Sequence, residues 1–199
     1  MPAIFLRQHE KNDLVCGRNS LSGFELTIHS AEEPAVCLLK EVEEKSMIAS
    51  SFYILALVAS ALWFTAALRY FGFQHFAAAK VMVAKSQRHS PVFPTMAAGI
   101  RFLGGMNGSL ALLCWMLIVI LVLGLDLFTD PAERVVILVA LAAAHFSQFA
   151  PNVPIHRNGG RQADDTLWDV ATGPMKFIYV MDAAQMILAL AAAVVIVLV

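Results

Sequence analysis

Met47–Leu68 reads MIASSFYILALVASALWFTAAL, a run without a single charged side chain. A helix needs about 20 apolar residues to cross roughly 30 Å of hydrocarbon, so the run is long enough to span a bilayer. Lipid offers the backbone no hydrogen-bond partner, and the apolar residues here are continuous rather than alternating, so the run reads as a helix. Arg69 and Tyr70 follow it as a pair suited to the membrane interface.

Three more runs of this kind lie downstream. Phe102–Leu125 stops at Asp126, and Val135–Ala150 stops where Pro151 removes the backbone donor a continuing helix would need. The start of that third run is marked by Asp130-Pro131-Ala132-Glu133, in which Asp130 can cap, Pro131 suits the first helical position and Glu133 can reach back. The last run begins near Pro174 or Met175 and reaches Val199. With spans at about 47–69, 102–125, 132–150 and 175–198, the expected fold is all-α: an integral membrane four-helix bundle.

Composition agrees. Hydrophobic residues make up 59% of the 199 and charged ones 15%, against about 25% charged in an ordinary soluble domain. Fourteen basic and fifteen acidic residues nearly cancel, which gives no reason to expect a nucleic-acid partner. The bilayer itself is the expected partner, with a companion membrane subunit or a second copy of the chain left open.

Charge is sorted along the chain. Between Glu44 and Asp126 there is no acid, while Arg69, Lys80, Lys85, Arg88 and Arg101 make the first connection purely basic. The positive-inside rule then places connections 70–101 and 151–173 in the cytoplasm and both termini outside. A bacterial inner membrane suits such a chain best. Residues 1–46 differ, holding eight of the fifteen acids along with Cys16 and Cys37. They read as a polar acidic extension, either a partly disordered tail whose two cysteines can pair in an oxidising compartment or a misassigned start with translation beginning at Met47.

Two connections carry structure signals. Phe73, Phe76, Ala79 and Val83 recur three or four apart, which predicts either a basic amphipathic helix on the leaflet surface or an extension of the first span, with Lys80 falling on the apolar face. In the third connection Asn158-Gly159-Gly160 predicts a turn, and Asp164 or Asp165 would cap a short helix carrying Trp168 up to Gly173-Pro174.

Ionisable residues inside spans are costly and therefore informative. Arg101 and Asn107 open the second span, His145, Gln148 and Asn152 close the third, and Lys176, Asp182 and Gln185 open the fourth, so the strongly polar side chains of these spans share one half of the membrane. The spacings of three and four put each set on one helix face. Two readings of Asp182, His145, Arg101, Gln148, Gln185 and Asn107 stand. In the first they form an interhelical seam, with Asp182 paired to Arg101 or hydrogen-bonded to His145. In the second, Asp182 and His145 line a small cavity open to the cytoplasm, where Asp182 exchanges a proton or holds a cationic or hydroxylated ligand.

His145, His156, Asp164 and Asp165 could converge on a metal, yet no HExxH or CxxC spacing occurs, so neither metal nor cofactor is expected. Cys114 reads as a packing residue. Asn107-Gly108-Ser109 matches a glycosylation sequon inside a membrane helix and is taken as fortuitous. Gly104, Gly105 and Gly108 predict close helix packing.

The stretch Gly99–Leu112, GIRFLGGMNGSLAL, set among four spans, resembles the second-span region of small bacterial DoxX-like membrane proteins of unassigned function. That resemblance implies a compact four-helix bundle, with a small-molecule cavity or a partner in a redox complex. His145–Asn152 (HFSQFAPN) and Gly173–Asp182 (GPMKFIYVMD) carry no family signature, and the Arg-rich second-helix motif of membrane-bound glutathione transferases is missing. The expected function is a non-enzymatic accessory or structural membrane subunit. The alternative is a small-molecule or proton-coupled transporter or membrane enzyme with its site in the cytoplasmic half.

Overall fold

Four long apolar helices run up, down, up and down through the chain. The computed structural model describes residues 32–161, 167–168 and 170–199, with side chains from Leu39 onward. The spans belong to one compact unit, Lys45–Val199. The helices among the described residues are α1 (Glu32–Ala67), which enters that unit at Lys45, α2 (His75–Met82), α3 (Phe93–Val122), α4 (Pro131–Phe149), α5 (Asn152–Arg157) and α6 (Gly173–Leu198), with a π-helical turn at Leu68–Phe73. Helices α1 with the π turn, α3, α4 and α6 are long and apolar enough to cross a membrane. The chain is thus an all-α integral membrane bundle.

The boundaries differ from expectation at both ends of the first half. Helix α1 begins at Glu32 rather than Met47, because Glu41, Glu43, Glu44, Lys40 and Lys45 are good helix formers whose charge removes them from an apolar run without breaking the helix. The pairing of Cys16 with Cys37 lies outside the described residues. Helix α3 begins at Phe93, with Pro94 in its first turn. It ends before Gly124, whose φ of +64° is the left-handed conformation that terminates helices. Helix α4 starts as expected, with the Asp130 carboxylate accepting from the Ala132 backbone N–H at 2.7 Å.

One of two core clusters among the described residues runs through the four long helices. Tyr53, Leu57, Ala61 and Phe64 enter it from α1, Ala111, Cys114 and Leu117 from α3, Leu138, Leu141 and Ala142 from α4, and Ala189, Ala192, Ala193 and Ile196 from α6. Each set repeats at three and four residues, the spacing of one helical face. Only 22–33% of each apolar window is buried, so most of the large hydrophobic side chains face outward, as lipid contact requires.

Where α1 ends, the chain departs from α geometry. The Gln74 N–H donates to the Arg69 carbonyl at 3.2 Å, five residues back. This wider turn swings Phe71 and Gly72 onto α3. A Cβ on Gly104 would fall on the backbone of Gly72 and Phe71, and one on Gly108 would touch the Leu68 side chain at 3.0 Å. Gly104 and Gly108 therefore serve the close packing expected of them. Gly105 does not: a Cβ there meets nothing within 4 Å.

The first connection folds back instead of lying flat as one amphipathic helix. Val83 is extended and ends α2 after two turns, which splits the predicted face: Ala78, Ala79 and Val83 are buried with Phe71, Phe93, Ala97 and Ile100, whereas Phe73 and Phe76 are 77% and 51% exposed. Arg88 closes the fold, donating from Nε to the Val83 carbonyl at 2.9 Å and from Nη2 to the Lys80 carbonyl.

The third connection differs too. The predicted turn is present, with Gly159 and Gly160 at φ +65° and +84°, but the short helix precedes it as α5 and Trp168 is not helical. The Trp168 backbone N–H donates to the Gly160 carbonyl at 2.7 Å and its indole donates to Asn152 Oδ1 at 3.1 Å. These bonds tie Trp168 back to α5 and to the turn that follows it. Asp164 and Asp165 lie outside the described residues.

Candidate functional site

Helix α6 carries Asp182 and Gln185 three residues apart on its inward face, one turn before the core alanines begin. Helix α4, running antiparallel, brings His145 opposite. The His145 Nδ1 lies 3.2 Å from Asp182 Oδ1, with the two side chains 0% and 1% exposed. Asp182 Oδ1 also accepts the indole N–H of Trp63 at 2.9 Å. With Asp182 as the carboxylate, Oδ1 can only accept, which puts the shared proton on Nδ1.

The other ring nitrogen, Nε2, stands 3.5 Å from the Ser60 hydroxyl, at the long limit of a hydrogen bond. Phe64 stacks on the imidazole at 4.6 Å and 9° and fixes its plane. The result is a connected chain of Ser60, His145 and Asp182, with Trp63 donating to the same carboxylate. Three helices, α1, α4 and α6, are tied by it.

Gln185 extends the network, donating from Nε2 to the Ala59 carbonyl at 3.3 Å. Its Oε1 is buried and finds no partner. Beside Trp63 lies an apolar cleft of about 210 Å³ lined by Trp63, Tyr70, Phe71, Pro174 and Phe177 among others. Phe177 meets the Trp63 indole edge-on at 5.7 Å.

The remaining residues singled out in the sequence stand elsewhere. Arg101 is exposed on α3. The pairing of Asp182 with Arg101 is therefore not formed, and its place is taken by His145 and Trp63. Asn107 is buried on α3, where Nδ2 donates to the Leu103 carbonyl at 2.9 Å and Oδ1 is unpartnered. Gln148 is half-buried on α4, and its backbone carbonyl accepts from Asn152 Nδ2 at 2.8 Å. His156 stacks on Tyr179, which stacks in turn on Phe149. Cys114 is wholly buried in the core.

Sequence reasoning missed Ser60, Trp63 and Phe64. Their signal was present as a spacing of three and four within the first span, hidden because Trp and Phe count as apolar. Comparison with protein-family models, with curated proteins and with solved structures finds no match to this chain.

Proposed function

We propose that this chain is a non-enzymatic multi-pass membrane protein, an accessory or structural subunit of a bacterial inner membrane. The observation that carries the reading is the burial of the chain from Ser60 through His145 to Asp182. The three side chains are at most 1% exposed, and each finds a partner within the bundle. None of the three offers a substrate an exposed atom. Between helices in lipid, where apolar burial no longer drives association, interhelical hydrogen bonds and close packing set which helices meet. Both termini lie outside the cell and connections 70–101 and 151–173 in the cytoplasm, the side to which the basic first connection assigns them. The resemblance to DoxX-like proteins fits a compact bundle of this kind.

Asp182→Asn tests it, since the amide keeps the shape while removing the charge. A lower melting temperature in detergent, with any cellular phenotype following protein abundance, is the expected result. A folded and abundant variant that loses a cellular activity would overturn it. A second reading, a proton-coupled or small-molecule site at Asp182 and His145, is favoured by the orphaned Gln185 Oε1 and the adjoining cleft at Trp63. Loss of activity in the abundant Asp182→Asn variant is what that reading expects.

A further inference from the structure

The first connection carries charge that no acid among the described residues answers. Arg69, Lys80, Lys85 and Arg101 are exposed, and no acid occurs between Glu44 and Asp126. Among the described residues no Asp or Glu comes within ion-pair distance of any of these four. Arg88 is engaged differently, its guanidinium bound to the carbonyls that end α2. Beside the cations stand large apolar side chains with no cover: Phe73 at 77%, Phe76 at 51% and Val92 at 58% exposed.

The fold makes this a built surface. The buried faces of α2 and of the start of α3 are packed on the π turn, and Gly104 locks against Gly72, so the outward side chains are held on a rigid hairpin at the end of the membrane helices. Cations with no acidic partner among the described residues, on the same connection as exposed aromatics, match a surface with phosphate above and hydrocarbon below.

We propose that residues 69–101 form a docking surface for anionic phospholipid, with Lys80, Lys85, Arg69 and Arg101 binding headgroup phosphates and Phe73 and Phe76 seated in the acyl region. The inference goes beyond the structural reading above and does not depend on it. It concerns the lipids bound around one end of the bundle, whatever the buried network does.

The test releases the full-length protein from micelles holding equal amounts of phosphatidylglycerol and phosphatidylcholine and counts the retained lipids by native mass spectrometry. A preference for phosphatidylglycerol of about fivefold or more is expected, falling toward parity in Lys80→Gln/Lys85→Gln/Arg101→Gln and persisting in Lys80→Arg/Lys85→Arg. Equal retention of the two lipids by the wild type, or a preference unchanged in the Gln variant, would overturn it. If the Gln variant does not fold, the wild type still decides. Its preference should weaken between about 50 mM and 500 mM salt, and a salt-independent preference counts against headgroup binding. Inorganic phosphate at millimolar concentration should leave the retained lipid unchanged; displacement would identify a free-phosphate site instead.

Discussion

Helix α1 meets its neighbours in two different ways. Toward α3 the π turn that ends it packs on glycine, with the Gly72 backbone against Gly104 and the Leu68 side chain against Gly108. Toward α4 and α6 it presents side chains that bond across the gap, Ser60 to His145 and Trp63 to Asp182. The first contact depends on the absence of atoms and tolerates no addition. The second depends on particular atoms and tolerates no removal. One bundle thus uses both means that lipid leaves available for holding helices together, close packing and hydrogen bonds.

The contrast can be broken from either side. Gly104→Leu should have the largest effect, because the new side chain starts inside the backbone of the π turn. A cost of about 3 kcal/mol or more is expected, read as loss of monodisperse protein in detergent. His145→Ala removes the centre of the polar network and leaves a void beneath Phe64. It should lower stability by about 2–3 kcal/mol, some 4–12 °C in melting temperature at about 2–4 °C per kcal/mol for a chain of this size. Trp115→Phe tests a third kind of link, the 3.0 Å bond from the Trp115 indole to Thr65 Oγ at the lipid-facing edge of the α1–α3 contact. About 1 kcal/mol or less is expected there, and a Thr65→Val variant should cost a similar amount without adding to it. Gly105→Ala sharpens the comparison from the other direction. One residue from Gly104 but facing open space, it should change stability by no more than about 1 kcal/mol, in the favourable direction. A loss comparable to that of Gly104→Leu would show that the α3 face has been assigned wrongly.

That neighbouring pair also explains what could be read in the chain before its structure. Hydropathy finds spans because it sums over many residues, and Asp182 and His145 could be matched because each is a costly group at the same depth on facing spans. Depth is one coordinate, however, and direction around the helix is another. Arg101 misses on both: it precedes Gly104, which packs on Gly72, whereas Asp182 bonds Trp63 nine residues before Gly72, and with Ile100, Gly104 and Asn107 on the inward face of α3 a residue one step further round by about 100° looks outward. Gly105 was misplaced for the same reason. Ser60 and Trp63 were overlooked because a lone hydroxyl and an indole scarcely lower the apolarity of a window, although each holds a donor that a dry interior must satisfy. The early start of α1 was hidden by charge, which argues against membrane but not against helix.

The π turn at Leu68–Phe73 takes up one residue more than an α-helix would use over the same length. Because the wider turn absorbs that residue, the chain on either side keeps nearly the phase an unbroken helix would give it. Deleting a single residue there should restore ordinary winding and take away the displaced backbone that brings Phe71 and Gly72 onto Gly104. The segment therefore reads length as much as chemistry: within it a deletion should be more damaging than most substitutions.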